Sequence, residues 1–221
     1  MTTVPATTLE TALPLLGLRI IAGPVELRGV TDDLIGPLAD LAIEGIHDPG
    51  SMPFYFPWSN TPPDQMPRIM GTYHWTRRAE FSPQKWGADL AVFWEGEVAG
   101  CQGLATTDYL VTRTGETGSW LGRRFQGRGI GTAMRQVICA FAFDQLDARY
   151  VTSGAFTDNP ASLAVSKKAG YVGNGRRQFA RMGSVATIQD LILTPGGLVR
   201  YAHPLAVSGL AAFRRSIGLD A

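Results

Sequence analysis

The stretch that most constrains this chain runs from Gly122 to Leu146. Between Gly122 and Gly131 it holds four glycines and three arginines, and it then passes directly into an apolar run. Ile130, Ala133, Met134, Val137, Ile138 and Phe141 fall at i, i+3, i+4, i+7, i+8 and i+11, one face of an α-helix. The segment just before, ETGSWLG at 116 to 122, reads as a short strand. A strand joined by a glycine loop to a long helix points to a mixed α/β fold in which the loop's backbone amides gather at a helix N-terminus.

Three phosphate-binding patterns compete for the loop. Gly122 and Gly127 have the spacing of Gly-x4-Gly-Lys-Ser/Thr, but Arg128 and Gly129 replace the required Lys and Ser/Thr. Gly127 and Gly129 begin Gly-x-Gly-x-x-Gly, but its third glycine falls on Thr132 and no acidic ribose anchor follows about 20 residues on. The third pattern, Gln/Arg-x-x-Gly-x-Gly, is met by Gln126, Gly129 and Gly131, and again two residues earlier by Arg124, Gly127 and Gly129. Without blocking side chains, successive N–H groups there can point at a pyrophosphate beside the positive helix end. The later register is preferred because Gly131 leads straight into the apolar phase.

The rest of the chain extends the α/β pattern. Residues 18 to 30 read as two short strands around a Gly-Pro turn, followed by Thr31 as cap of a helix from about Asp33 to Ile46. Residues 47 to 67 contain six prolines and four aromatics, a density that excludes helix or central strand, so this is a long loop. Loops of that length are uncommon unless functional. A helix is expected over 64 to 81, then two strands within 88 to 107 turning at Glu95-Gly96, and a strand at 149 to 156. Residues 159 to 170 read as a helix with Asn159 as cap, Pro160 in first position, Lys167 and Lys168 in the last turn and Gly170 beyond it. Strands at 171 to 182 and 184 to 193 complete the pattern. The expected organisation is one domain over 1 to 221, with a core from 18 to 195 and a tail from 196 to 221.

Bulk composition narrows the partners. Twenty Lys and Arg against 19 Asp and Glu leave a net charge of +1, so no overall field favours nucleic acid or an anionic membrane. The N-terminal apolar run lacks a preceding Lys or Arg, contains Glu10 and is broken by Pro14, which makes a poor signal peptide. No stretch reaches the roughly 20 apolar residues of a membrane span. Cys101 and Cys139 sit in apolar segments and read as reduced core residues of a cytoplasmic protein. His47, His74 and His203 lack metal-ligand spacing, so no metal is assigned.

Residues 115 to 171, with GSWLG, QGRGIGT, NPAS and KKAGY in order, resemble the catalytic half of GNAT acyltransferases of the RimJ/RimL type. ELRGVTDDLIGPLADL resembles the opening strand and helix of the same type. More narrowly, HDPGSMPFYFPW, SWLG and SGAFTDNPASLAVS resemble an actinobacterial subgroup in which a mycobacterial member uses succinyl-CoA. The resemblance implies a single-domain GNAT fold, a mixed and mostly antiparallel central sheet flanked by helices, and a homodimer as assembly. It also implies N-acyl transfer from acetyl-CoA, with succinyl-CoA as the alternative donor, by direct attack of an amine on the thioester. A CoA-binding module without catalysis is the reading from another class.

Roles follow from the same resemblance. Gln126, Gly127, Arg128, Gly129, Ile130, Gly131 and Thr132 would hold the CoA phosphates, with Lys168 as a further contact. A backbone N–H near Trp120 or Leu121 would meet the thioester oxygen. Asn159 would touch the pantetheine arm, Ser162 would protonate the leaving thiolate, and Glu116 would act as base through water; Asp108 and Glu80 are weaker candidates for that base. At about pH 7.4, deprotonating an α-amine with pKa near 7.8 costs roughly half a kcal/mol and a lysine near 10.4 about 4, so the base matters most for lysine-like acceptors. Phe54, Tyr55, Phe56, Trp58 and Trp75 would line the acceptor side. A succinyl carboxylate would need an arginine, for which Arg77, Arg78 and Arg113 are the candidates.

Overall fold

A computed structural model describes residues 8–220; residues 1–7, where the N-terminal segment discussed above begins, and residue 221 lie outside the described residues. Nine strands form one sheet in the order β7-β8-β6-β5-β4-β3-β2-β1-β9. They are β1 (Arg19–Ala22), β2 (Val25–Gly29), β3 (Lys85–Trp94), β4 (Glu97–Thr107), β5 (Thr114–Leu121), β6 (Tyr150–Phe156), β7 (Val172–Arg181), β8 (Ser184–Leu193) and β9 (Ala206–Ser208). Every neighbouring pair is antiparallel except β5 and β6, which are parallel. The helices are α1 (Leu9–Ala12), α2 (Asp32–Glu44), α3 (Met66–Ala79), α4 (Tyr109–Thr112), α5 (Ile130–Leu146), α6 (Pro160–Ala169) and α7 (Leu210–Ser216).

The helices cover the sheet in two layers, each with its own core. On one face α2 and α3 bury Leu38, Ala42, Met66 and Met70 against Ala91, Phe93 and Cys101. On the other, α5 packs Ile130, Val137, Ile138 and Phe141 against Leu27, Leu90, Val92 and Leu104. The six periodic residues of α5 are all buried, and so are Arg135, Gln136, Cys139 and Phe143. The helix is enclosed well beyond one stripe, which the apolar periodicity alone does not show. Both cysteines are buried and free, and burial raises both thiol pKa values, that of Cys139 to about 11.

Local chemistry explains the well-anticipated turns. Glu95 and Gly96 both adopt left-handed φ, +51° and +87°, the twist that a two-residue hairpin between β3 and β4 requires. Asn159 accepts a hydrogen bond from the Ser162 N–H at 3.1 Å, the cap expected for α6. Thr31 occupies the cap position of α2, but its hydroxyl makes no capping bond; Asp32 and Asp33 stand in the first turn instead.

Two elements differ from expectation. The helix α4 lies in the stretch between the strands expected at 88 to 107 and 116 to 122, for which the sequence predicts no element; Asp108 and Arg113 take left-handed φ on either side of it, and the Tyr109 hydroxyl donates to the Leu146 carbonyl at 3.0 Å. The segment 196 to 221 is not a peripheral tail over its described length: β9 pairs with β1, α7 buries Phe213 against Trp86, and Ile217 just after the helix is buried in the same core. A three-residue strand and a seven-residue helix are too short to show periodicity. No helix among the described residues is long and apolar enough to cross a membrane.

Candidate active site

The site arises where β5 and β6 part. They pair only over Thr114–Glu116 and Tyr150–Thr152, while β4 continues to pair with β5 as far as Leu121 and β8 with β6 as far as Phe156. Beyond that point no backbone ladder joins residues 117 to 121 with 153 to 156. Side chains bridge the start of the gap: Thr117 donates through Oγ1 to the Thr152 carbonyl at 3.2 Å, and Ser153 through Oγ to the Thr117 carbonyl at 3.0 Å. The Arg135 guanidinium then reaches up from α5 and donates to Ser119 Oγ at 2.9 Å and Ser153 Oγ at 3.2 Å.

Strand alternation decides which β5 amides face the gap. The Gly122 N–H donates to Ala99 on the β4 side at 3.0 Å, so Trp120 and Gly118 also direct theirs toward β4. Leu121 and Ser119 direct theirs into the gap. The β5 amides that face the gap are therefore those of Leu121 and Ser119 rather than that of Trp120, whose indole packs on Trp58 at 5.7 Å on the α2–α3 face.

The glycine loop closes one end of the gap. Gly127 and Gly129 have φ of +72° and +83°, and a Cβ at either would meet nothing within 4 Å; there the backbone conformation, rather than space, demands glycine. Among the described residues, the N–H groups of residues 127 to 131 find no acceptor, so five successive donors lie at the start of a 17-residue helix. Thr132 is different: its N–H donates to the Gly129 carbonyl at 3.1 Å, which leaves only its hydroxyl for a ligand. Ile130 buries its side chain and Gly131 faces Val165, so each offers backbone alone. Gln126 holds the loop in place, donating through Nε2 to the Ile46 and Leu121 carbonyls at 2.8 Å each.

The basic residues divide sharply. Arg123 pairs with Asp48 at 2.8 Å, and Arg124 with Glu97 at 2.7 Å and with Glu44. Arg128 is exposed and has no ion pair among the described residues, which makes it the loop's available cation. Lys168 stands exposed in the last turn of α6. Ser162, in the first turn of that helix, is half-buried with its hydroxyl uncommitted, whereas Asn159 spends its side-chain oxygen on the cap. Tyr171 is engaged below the sheet, its hydroxyl 2.8 Å from Thr117 Oγ1 and 3.3 Å from Cys139 Sγ.

The opposite face gathers the acceptor-side candidates. Tyr55 lies over β6, packed on Phe156 and Phe179 at 5.6 and 5.3 Å, and a Cβ at Gly154 would come within 2.6 Å of its hydroxyl. Arg177 on β7 donates to that hydroxyl at 3.3 Å and to Asp190 on β8 at 3.0 Å. Burial first, and then the charge of Glu116, raise the pKa of Tyr55, which places the exposed Glu116 carboxylate beside this cluster. Phe54 packs on Trp58 at 5.1 Å, and Phe56 is 75% exposed. Arg177, Asp190 and Gly154 carry no local signal in the sequence; only the sheet topology brings them to Tyr55.

Trp75 does not join this group. Its indole N–H donates to Asp32 at 3.1 Å, at the N-terminal end of α2, whereas the aromatic loop leaves the C-terminal end about 20 Å away by helix rise. Glu80 pairs with Lys85, and Asp108 stands at the N-cap position of α4 without a side-chain capping bond, past the end of β4 and away from the strand gap. Arg77 pairs with Asp89, Arg78 with Asp32 and the Val30 carbonyl, and Arg113 lies over Tyr109. His74 is buried, and desolvation lowers its pKa. Among the described residues no group of three or more His, Cys, Asp or Glu is placed to hold a metal ion.

Comparison with known proteins identifies the family to which this fold belongs. YdaF of Bacillus subtilis (strain 168), named "Putative ribosomal N-acetyltransferase", is 30% identical over 90 residues, which make up 41% of this chain and 49% of that protein. The match thus spans about half the length of this relative. Among solved structures, Mycobacterium smegmatis RimJ in complex with CoA-disulfide superposes with a TM-score of 0.66 at 17% identity, over 90% of this chain and 92% of that one. RimL, the ribosomal L7/L12 alpha-N-protein acetyltransferase in complex with coenzyme A, gives 0.63 at 17% identity, over 79% and 96%. At such identities the likeness is one of fold. The family model of the acetyltransferase (GNAT) domain matches residues 25–172, from β2 to the start of β7, and the chain belongs to this family of N-acetyltransferases.

Proposed function

We propose that this protein transfers an acetyl group from acetyl-CoA to an amine by direct attack on the thioester, without an acyl-enzyme. The observation that carries the reading is the row of five unpartnered N–H groups at residues 127 to 131, opening a long helix beside the parted strands. Oxygen-rich, doubly charged pyrophosphate suits such a row, with Arg128 as a supplementary charge. The Leu121 or Ser119 N–H would then polarise the thioester carbonyl, Glu116 would draw a proton from the incoming amine through water, and the free Ser162 hydroxyl would protonate the departing sulfur. Tyr55, Phe54 and Trp58 would flank the acceptor.

Acetyl-CoA is favoured over succinyl-CoA because Arg77 and Arg78 already hold carboxylates of this chain and Arg113 stacks on Tyr109. The relatives named for ribosomal-protein substrates suggest a protein α-amine as the first acceptor to try. Thiol release with each donor over a panel of protein N-termini, polyamines and small amines tests the reading. A preference for acetyl-CoA above tenfold is expected. Preference for succinyl-CoA would overturn the donor assignment, and CoA binding with no release from any amine would make the protein a CoA-binding module.

A further inference from the structure

Among the described residues Arg135 is the one charged side chain buried beneath the strand gap. It is 3% exposed, and no carboxylate among the described residues pairs with it. Its partners are neutral: Ser119 Oγ on β5 and Ser153 Oγ on β6, with the Tyr171 ring 5.9 Å from its guanidinium carbon. Its Nε–H has no acceptor, and neither does Oε1 of buried Gln102, whose backbone pairs with Ser119 across β4 and β5, have a donor. The titratable groups facing it are the Cys139 thiol on α5 and the Tyr171 hydroxyl after α6; burial raises the pKa of both, so both stay neutral in the working range. The acidic pair Glu116 and Asp190, beside Tyr55, lies on the opposite face of the sheet.

A buried guanidinium without a counter-charge is costly, and an apolar side chain of similar length in its place is often neutral or stabilising for the fold. Such a cation is best explained by negative charge that arrives only during function. In acyl transfer the amine nitrogen forms a bond to the carbonyl carbon, the carbon–sulfur bond breaks and its electron pair leaves on sulfur as a thiolate. The amine's proton passes to base or water. The gap that Arg135 bridges is the place where the donor's pantetheine end would enter.

We infer that Arg135 is a positioning residue for the leaving group: held under the gap by Ser119 and Ser153, it sets a positive field that stabilises the CoA thiolate. This rests on the donor reading above and adds to it a specific source of leaving-group stabilisation. Ser162 supplies the proton; Arg135 lowers the need for it.

The decisive measurement is the pKa of the CoA thiol in the binary complex, read from thiolate absorbance against the complex with desulfo-CoA. In the wild type the thiol should titrate about one to two units below free CoA. Arg135→Met should fold with an undiminished melting temperature, bind CoA, lose that depression and lower kcat with little change in donor KM. Arg135→Lys, which keeps the charge, should retain a depressed thiol pKa even if it melts lower. CoA that binds the wild type with the same thiol pKa as Arg135→Met, or an unshifted thiol in a well-folded Arg135→Lys, overturns the inference and leaves the donor reading intact. Failure of CoA to bind the wild type overturns both.

Discussion

Replacing Gly129 with valine separates backbone strain from ligand contact. The residue has φ of +83°, where a β-branched side chain costs about 1–3 kcal/mol, and no protein atom lies within 4 Å of the new Cβ. The free protein should therefore remain folded, melting lower by about 2–4 °C for each kcal/mol of strain. The same side chain would stand within the run of free amides of residues 127 to 131, where a bound anion would have to approach. A hydrogen bond to a charged oxygen contributes about 1.5–3 kcal/mol, so displacing two of them should weaken CoA by about two to four powers of ten in Kd.

Gly96 provides the control. It has φ of +87° and an equally empty Cβ position, but it lies in the β3–β4 hairpin turn. Gly96→Val should show a similar loss of melting temperature with unchanged CoA affinity. Calorimetric titration of CoA into both variants, with melting curves alongside, gives the comparison. If Gly129→Val binds CoA as tightly as Gly96→Val does, the row of amides is not the pyrophosphate cradle and the register at Gln126, Gly129 and Gly131 is wrong.

Other expectations address the chemistry and the core. Ser162→Ala should lower kcat by tenfold or more while leaving CoA affinity within about twofold, since its hydroxyl carries no structural bond in the fold. Glu116→Gln should reduce turnover far more for a lysine-like amine than for an α-amine, following the roughly 4 against half a kcal/mol needed to deprotonate them near neutral pH; equal losses would remove Glu116 as base. Phe213→Ala should cost about 3–5 kcal/mol in chemical denaturation, because the ring is fully buried against Trp86 and Phe141. A loss below about 1 kcal/mol would mean that α7 does not belong to the core.

What the sequence revealed was local. The phase of α5, the left-handed pair at Glu95-Gly96 and the cap at Asn159 each depend on residues within a turn of one another, and each lies where its residue types direct. The glycine loop was legible for the same reason: a donor row needs only positive-φ glycines ahead of a helix. The brief pairing of β5 with β6 left no such trace, because it depends on where β8 and β4 continue after the two strands separate. Trp75 shows the converse. Its helix was anticipated, but the face it presents was set by a hydrogen bond to Asp32, 43 residues away.

Arg135 was illegible for a more instructive reason. Arginine between apolar positions of a helix is normally a side chain reaching toward water, and nothing in RQVICAFAF marks it otherwise. Only when α5 is laid under the β5–β6 gap does the guanidinium become, among the described residues, the sole cation in a neutral, buried setting. The sheet then separates two electrical environments at one opening. Glu116 and Asp190 lie on the face that carries the aromatic loop, and Arg135 lies on the face that carries α5. In the proposed reaction an amine approaching from the first face would meet carboxylates able to take its proton, and the electron pair it displaces onto sulfur would move into the field of the second. If the proposal holds, charge separation across the parted strands is arranged before any substrate enters, and it is function that offsets the burial of an arginine without a counter-charge.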